Sequence, residues 1–281
     1  MSFSYRSGNG DVISFVGSSP YFCDPDVFRS YSWGYEMSNG SVATISRAEI
    51  EIETSIGITS DTEQQGADLL DRLVKAFEYD VRAGVAGIVE IDGYEARAFV
   101  FTGALAVDEM VGLFEISMTA NFLVQRSEWV REISFPFIPG DTGSDGTGLN
   151  YPHNFPYNFR SSASRTYIDN PSTYPSDVRI TIFGPTVNPS IMIGANRYGV
   201  DCEVERGGRL VIDGRDRSKI ALYDKYGNET NVFGSRLRGS SGSGTYIFEK
   251  VSSGYSQVTW DESCRMEIVV YDERSMPPCL I

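Results

Sequence analysis

Phe114, Ile116, Met118, Ala120 and Phe122 alternate with Glu115, Ser117, Thr119 and Asn121. Strict period two over nine residues defines a strand with one buried face and one wet face. Similar short segments recur through the second half, at 159–169, 178–184, 191–193, 200–205, 209–213, 220–223, 245–250, 257–260 and 265–272. No helical period interrupts them, so an antiparallel sandwich is expected there.

The first half has the same habit with one exception. Between Asp61 and Arg82, Leu69, Leu70, Leu73, Val74, Phe77 and Val81 fall on one side of an amphipathic helix. Asp61, with Gln64 three residues on, is the expected N-cap, and Gly84 the expected stop. The apolar stripe is expected to lie against the N-terminal sheet. Asn9-Gly10, Asn39-Gly40 and Asp92-Gly93 read as hairpin turns, because these pairs readily take positive φ. Asn39-Gly40 separates an aromatic strand, 31–37, from a long strand, 42–56. In the long strand Glu49, Glu51 and Glu53 alternate with Ile50 and Ile52, giving an apolar face and a row of carboxylates.

The pattern breaks at 136–158, a stretch rich in Pro, Gly, Asp and Asn. Three parts are therefore expected: a mixed β domain with one helix over 1–140, a linker over 141–157, and an antiparallel sandwich over 158–281. The fold class is mainly β. At 281 residues either two ordinary domains or one large sandwich can bury a full core.

The net charge of −14 is unevenly shared. Residues 1–140 hold 9 basic and 21 acidic side chains, a net of −12, against −2 for the rest. Such a surface repels nucleic acid, since phosphate binding needs Lys and Arg to displace counterions. Cys23, Cys202, Cys264 and Cys279 are far apart and lack C-x-x-C spacing, so they read as free thiols. Residues 1–20 show no signal peptide, and no window holds the roughly 18 apolar residues of a membrane span. Synthesis in a cytoplasm and no membrane partner are the expectation.

Motifs with chemistry are scarce. His153 is the single histidine, which leaves no imidazole pair for a metal and argues against a Ser-His-Asp site. Asp141-Thr142-Gly143 matches an aspartic-protease triplet, but no second triplet exists to share a proton. The same loop lacks the spacing of a calcium site. The glycines of 238–244 lack the strand and helix of a phosphate cradle. Glu49, Glu51 and Glu53 lie about 7 Å apart along a strand, a spacing open to a solvated face, a channel lining or a carboxylate pair. No catalytic, cofactor or metal residue is assigned.

The segments 178–184, 187–191, 209–213, 254–260 and 269–274, taken in this order, resemble the distal tail proteins of long-tailed bacteriophages. Val178-Arg179-Ile180-Thr181-Ile182-Phe183-Gly184 followed by Val187-Asn188-Pro189-Ser190-Ile191 is similar to the opening of that family's C-terminal sandwich. Arg209-Leu210-Val211-Ile212-Asp213, Gly254-Tyr255-Ser256-Gln257-Val258-Thr259-Trp260 and Val269-Val270-Tyr271-Asp272-Glu273-Arg274 resemble its later strands. Phe114 to Phe122, running into Ser127-Glu128-Trp129, resembles the exit from its N-terminal domain. The resemblance implies a structural virion protein with a galectin-like C-terminal sandwich and no enzymatic activity. It further implies a ring, sixfold by family, at the tail tip, through which DNA passes without specific binding. Partners would be the tail tube protein, the tail-associated hub protein and receptor-binding or other baseplate proteins.

On that reading Glu49, Glu51 and Glu53 are candidate channel-facing acids. Tyr21, Phe22, Phe28, Tyr31, Trp33 and Tyr35 are candidate interface aromatics. The alternative is a carbohydrate-binding adhesin, with a sugar platform drawn from Tyr174, Tyr198, Tyr223, Tyr226, Tyr246, Tyr255 and Trp260.

Overall fold

The computed structural model describes residues 2–110, 113–125, 128–139, 167–261 and 263–278, with the backbone alone at 106–110, 113 and 114. It divides into two compact units, 1–131 with 273–281, and 132–272. The division falls ahead of the Gly-rich stretch, and the C-terminal residues return to the first unit. The linker 141–157, with His153 and Asp141-Thr142-Gly143, lies outside the described residues, as do Cys279 and the start of the expected strand 159–169.

The first unit holds β1 (Phe3–Arg6), β2 (Val12–Ser14), β3 (Tyr21–Cys23), β4 (Trp33–Ser38), β5 (Ser41–Arg47), β6 (Ile50–Ser60), α1 (Glu63–Ala83), β7 (Gly87–Ile91), β8 (Tyr94–Met110), β9 (Leu113–Val124) and the start of β10 (Trp129–Phe137). One run of pairing goes β10-β8-β7-β1-β2 and another β3-β6-β9-β8, all antiparallel, so β8 belongs to both. Asn39 and Gly40 at φ 51° and 78°, and Asp92 and Gly93 at φ 50° and 80°, make the two-residue turns expected of them. The Asn9-Gly10 hairpin forms too, with a longer loop: pairing stops at Arg6↔Val12, and Ser7 N–H donates to Asp11 O.

The helix begins one residue later than expected. Thr62 is the N-cap, its side chain accepting from Gln65 N–H, and Gly84 closes the helix in the left-handed conformation at φ 67°. Leu73, Ala76 and Phe77 are fully buried, and Leu69, Leu70 and Val74 pack partly, against Ile56, Ile58, Ile116, Ala120 and Phe122 in one core. Each large side chain contributes about 2 kcal/mol through burial. Val81, expected in the stripe, is 38% exposed.

The expected strand 42–56 is two strands. Its first half, β5, pairs only with β4 in a separate ribbon, and the chain leaves that ribbon at Ala48-Glu49 before β6 joins β9.

The second unit holds the rest of β10, then β11 (Tyr167–Asn170), β12 (Val178–Phe183), β13 (Thr186–Val187), β14 (Ser190–Ile193), β15 (Asn196–Gly199), β16 (Glu203–Val204), β17 (Arg209–Asp213), β18 (Ile220–Tyr223), β19 (Glu229–Asn231), β20 (Gly254–Thr259) and β21 (Met266–Arg274). It is an antiparallel sandwich: β19-β18-β17-β12-β21-β10 faces β11-β20-β14-β15 across a core that includes Ile180, Ile212, Ile268, Ile168, Ile191 and Val258. Residues 245–250 are not a strand. That segment runs irregularly, burying Ile247 and Phe248 while its Tyr246 and Glu249 carbonyls accept from Asn196 Nδ2 and Tyr198 OH. Of the expected strand 200–205 only β16 forms, and β15 appears ahead of it.

Candidate functional site

In the first unit, β3-β6-β9-β8 forms a sheet whose inner face packs on α1. Ile52, Ile56 and Ile58 of β6 and Ile116, Met118, Ala120 and Phe122 of β9 all point inward. Strand alternation then forces the intervening residues outward. Glu51 and Glu53 therefore share an exposed face with Ser55 and Thr59, and opposite them stand Leu123, Asn121, Thr119, Ser117 and Glu115. Ser55 and Ser117 hydroxyls bond across the strands at 2.9 Å. β8 adds Thr102 and Ala104 to that face. Neither β3, β6, β9 nor β8 from Thr102 onward carries a lysine or arginine. Glu49 is exposed but sits just ahead of β6, outside the ladder.

Among the described residues both edges of this sheet are open. Among the described residues β8 has no strand partner on its outer side beyond Ala98, where β7 ends. At the other edge, β3 covers only Ile56, Gly57 and Ile58 of β6, leaving 50–55 without a strand partner on that side. Open edges present unpaired N–H and C=O groups that another strand can take.

Neither a family model nor a curated protein matches the sequence. Solved structures do match by shape. A chain of the phage P2 baseplate, in its activated conformation with calcium, aligns over 98% of this chain and 99% of that one, at a TM-score of 0.55 and 11% identity. The SPP1 Dit protein, a paradigm of the hub adsorption apparatus in phages infecting Gram-positive bacteria, aligns over 97% and 99%, at 0.55 and 10% identity. This chain shares the fold of a phage adsorption-hub protein. A P2 baseplate chain in the activated conformation with strontium gives 0.50 at 12% identity, over 98% and 99%. The hub fold thus accounts for both units and nearly the whole length of each chain.

Within this hub fold the six candidate interface aromatics separate. Tyr21 and Phe28 are core residues and leave the candidate surface. β3 alternates in-out-in, so Tyr21 and Cys23 point inward, and Tyr21 OH donates to Leu69 O at 2.9 Å. Phe28, on the 3-10 turn Pro25–Phe28, packs edge-on to Phe3, Phe122 and Trp129. Burial pushes the Cys23 thiol up to about 11, and the Tyr21 hydroxyl also up. Phe22 points the other way, onto the outward face opposite Gly57. Trp33 and Tyr35 sit on the β4-β5 ribbon, and Tyr31 precedes it, all exposed.

The ribbon holds residues that sequence reading missed. Its register places Tyr35 opposite Ile45 and Met37 opposite Val42, with Arg47 over the Trp33 ring at 5.3 Å. The two-residue turn at Asn39-Gly40 fixes that register, so pairing outward from the turn would have found them.

In the second unit Tyr198, one of the seven candidate platform residues, is buried, and Tyr223, Tyr246 and Trp260 are half-buried. Tyr174, Tyr226 and Tyr255 are exposed. No group of three His, Cys, Asp or Glu among the described residues is placed to hold a metal ion. No helix among them is long and apolar enough to cross a membrane.

Proposed function

We propose that this chain is a structural subunit of a phage tail tip, a distal tail protein whose first unit closes into a ring, sixfold, around the channel through which DNA leaves. The observation that carries this reading is the outward face of β3-β6-β9 and of β8 from Thr102 onward, acidic, free of basic side chains and bounded, among the described residues, by two open strand edges. A head-to-tail ring uses two different surfaces of each subunit, and two open edges of one sheet are such a pair. Turned inward, Glu51 and Glu53 would line the channel and repel a passing polyanion. The whole-length likeness to baseplate and hub chains supports the same role. The ring would join the tail tube protein to the tail-associated hub protein, and the second unit would offer attachment to receptor-binding or other baseplate proteins. The test is the mass of the full chain by light scattering after gel filtration. A mass six times the 31.1 kDa of the chain is expected, and a monomer at every concentration would overturn the reading.

One observation favours a second reading, a carbohydrate-binding adhesin. Tyr167 and Tyr255 stand exposed on one sheet face with ring centroids 5.4 Å apart, beside Asp169 and Gln257. Aromatic faces flanked by polar groups stack on sugars. It predicts cell-wall oligosaccharide binding that Tyr255→Ala abolishes.

A further inference from the structure

The β4-β5 ribbon is amphipathic: Arg47 lies over the Trp33 ring at one end of its apolar side, and the rest of that side is exposed. Residues opposite one another in a ladder share a face, so Trp33, Tyr35 and Met37 of β4 lie on the same side as Ile45 and Val42 of β5, across the irregularity at Glu36/Met37. Glu36, Ser46 and Thr44 take the other side. The five apolar residues are 44–70% exposed. Together they expose roughly 550 Å², in the range of patches that mark interaction sites. A two-stranded ribbon gains little stability alone, so an apolar face of this size points to a covering surface.

A matching surface exists at the other edge of the same sheet. A groove of about 400 Å³ runs between α1 and β8, lined by Val74, Phe77 and Val81 of the helix and by Val100, Phe101 and Met118 of the sheet, together with the ion-paired Glu78 and Arg82 and with Thr102 and Gly103. It begins where β8 loses β7, at the open edge. The ribbon, in turn, leads through Ala48-Glu49 straight into the open stretch of β6. Ribbon and groove therefore flank opposite edges of β3-β6-β9-β8.

We infer that the β4-β5 ribbon of each copy docks its Tyr35, Met37 and Ile45 side into the groove between α1 and β8 of the next copy. The inference rests on the ring proposed above, and names its contact. A head-to-tail arrangement that sets the β6 edge of one copy beside the β8 edge of its neighbour also carries the ribbon to the groove. Tyr35, Met37 and Ile45 are the most exposed of the five apolar residues, at 56–70%. With the backbone edges that meet beside them, the contact approaches the roughly 800 Å² per partner of a stable interface. The two surfaces differ, so the contact is heterologous and can propagate round a closed ring.

The test uses two single-cysteine additions to the full chain, Tyr35→Cys on the ribbon and Val81→Cys in the groove. Mild oxidation of the mixed variants is expected to give a cross-linked pair that neither variant gives alone. Tyr35→Ser with Ile45→Ser is expected to weaken assembly about 100-fold at an unchanged unfolding temperature. Rings that form without the cross-link and survive the double substitution would overturn this contact while leaving the ring intact. Absence of any assembly in the unmodified chain would overturn the ring and this contact together. Retained rings that lose binding to a second tail protein would assign the ribbon to that protein and also overturn the proposal.

Discussion

The Tyr5 hydroxyl donates a hydrogen bond to the Asp80 carboxylate inside the first unit, tying β1 to the last turns of α1. Asp80 is fully buried, and Ser7 Oγ and Gly8 N–H complete its shell, each at 2.7 Å. Burial, followed by this hydrogen bond, holds the Tyr5 hydroxyl well above its usual range. Gly87 packs against the pair so closely that a Cβ there would lie 2.2 Å from Tyr5 Oη and 2.6 Å from Asp80 Oδ2.

Three substitutions follow from that shell. Tyr5→Phe is expected to cost about 1–2 kcal/mol, since Asp80 keeps two donors, and Asp80→Ala about 3 kcal/mol, since two buried donors and one part-buried one lose their acceptor. Gly87→Ala is expected to cost at least as much as Tyr5→Phe by displacing the hydroxyl. Chemical denaturation checks all three, and Tyr5→Phe combined with Asp80→Ala should be less than additive.

Cys23 makes stability depend on alkaline pH. Its thiol is raised from 9.0 to about 11 in the folded state, first by burial. A group with a raised folded value stabilises fully below its unfolded value and loses that contribution as pH climbs through the folded one. Between pH 9 and 11 the chain is expected to lose about 2–3 kcal/mol through this thiol. Unfolding curves of Cys23→Ala should lack that share of the alkaline slope.

Glu51 and Glu53 are solvated and outward, so replacing both with lysine should leave the unfolding free energy within about 0.5 kcal/mol. What should change is affinity for polyanions. Glu51→Lys with Glu53→Lys is expected to retain single-stranded DNA at low salt and release it as salt rises, where the unmodified chain retains none. Fluorescence anisotropy of labelled DNA reads this directly.

In the second unit Asp177 accepts from Arg217 and pairs with Lys250, both at 3.0 Å, with its own side chain only 11% exposed. Asp177→Ala leaves two cations without their anion and is expected to cost about 2 kcal/mol. A thermal melt in low and high salt checks it; the loss should shrink in salt, because both cations are part-exposed.

Much of the fold was legible because its signals are local. Turn pairs such as Asn39-Gly40 and Asp92-Gly93, the stop at Gly84 and the alternation of 114–122 each act over a few residues. The misreadings came from partners distant in sequence. Nothing in 42–56 shows that its first half pairs in a free ribbon while its second half joins a sheet, since both halves alternate alike. Tyr21 and Phe28 read as surface aromatics by their nearness to Trp33 and Tyr35, yet Leu69, Phe122 and Trp129 enclose them from far along the chain. Residues 245–250 look like a strand because Ile247 and Phe248 are buried, but their neighbours' backbone groups bond to Asn196 and Tyr198 instead of to a ladder. Of the acidic row, Glu51 and Glu53 share one strand face, whereas Glu49 falls ahead of β6 and outside its ladder. The place of that face between two open edges needed the pairing of β6 with β9.

The most direct test of the central claim is an electron-microscopy reconstruction of the assembly formed by the full chain. The account predicts a six-membered ring with a central hole, and Glu51 and Glu53 on the wall of that hole. A ring with those carboxylates on its outer rim, or particles with no hole, would contradict it.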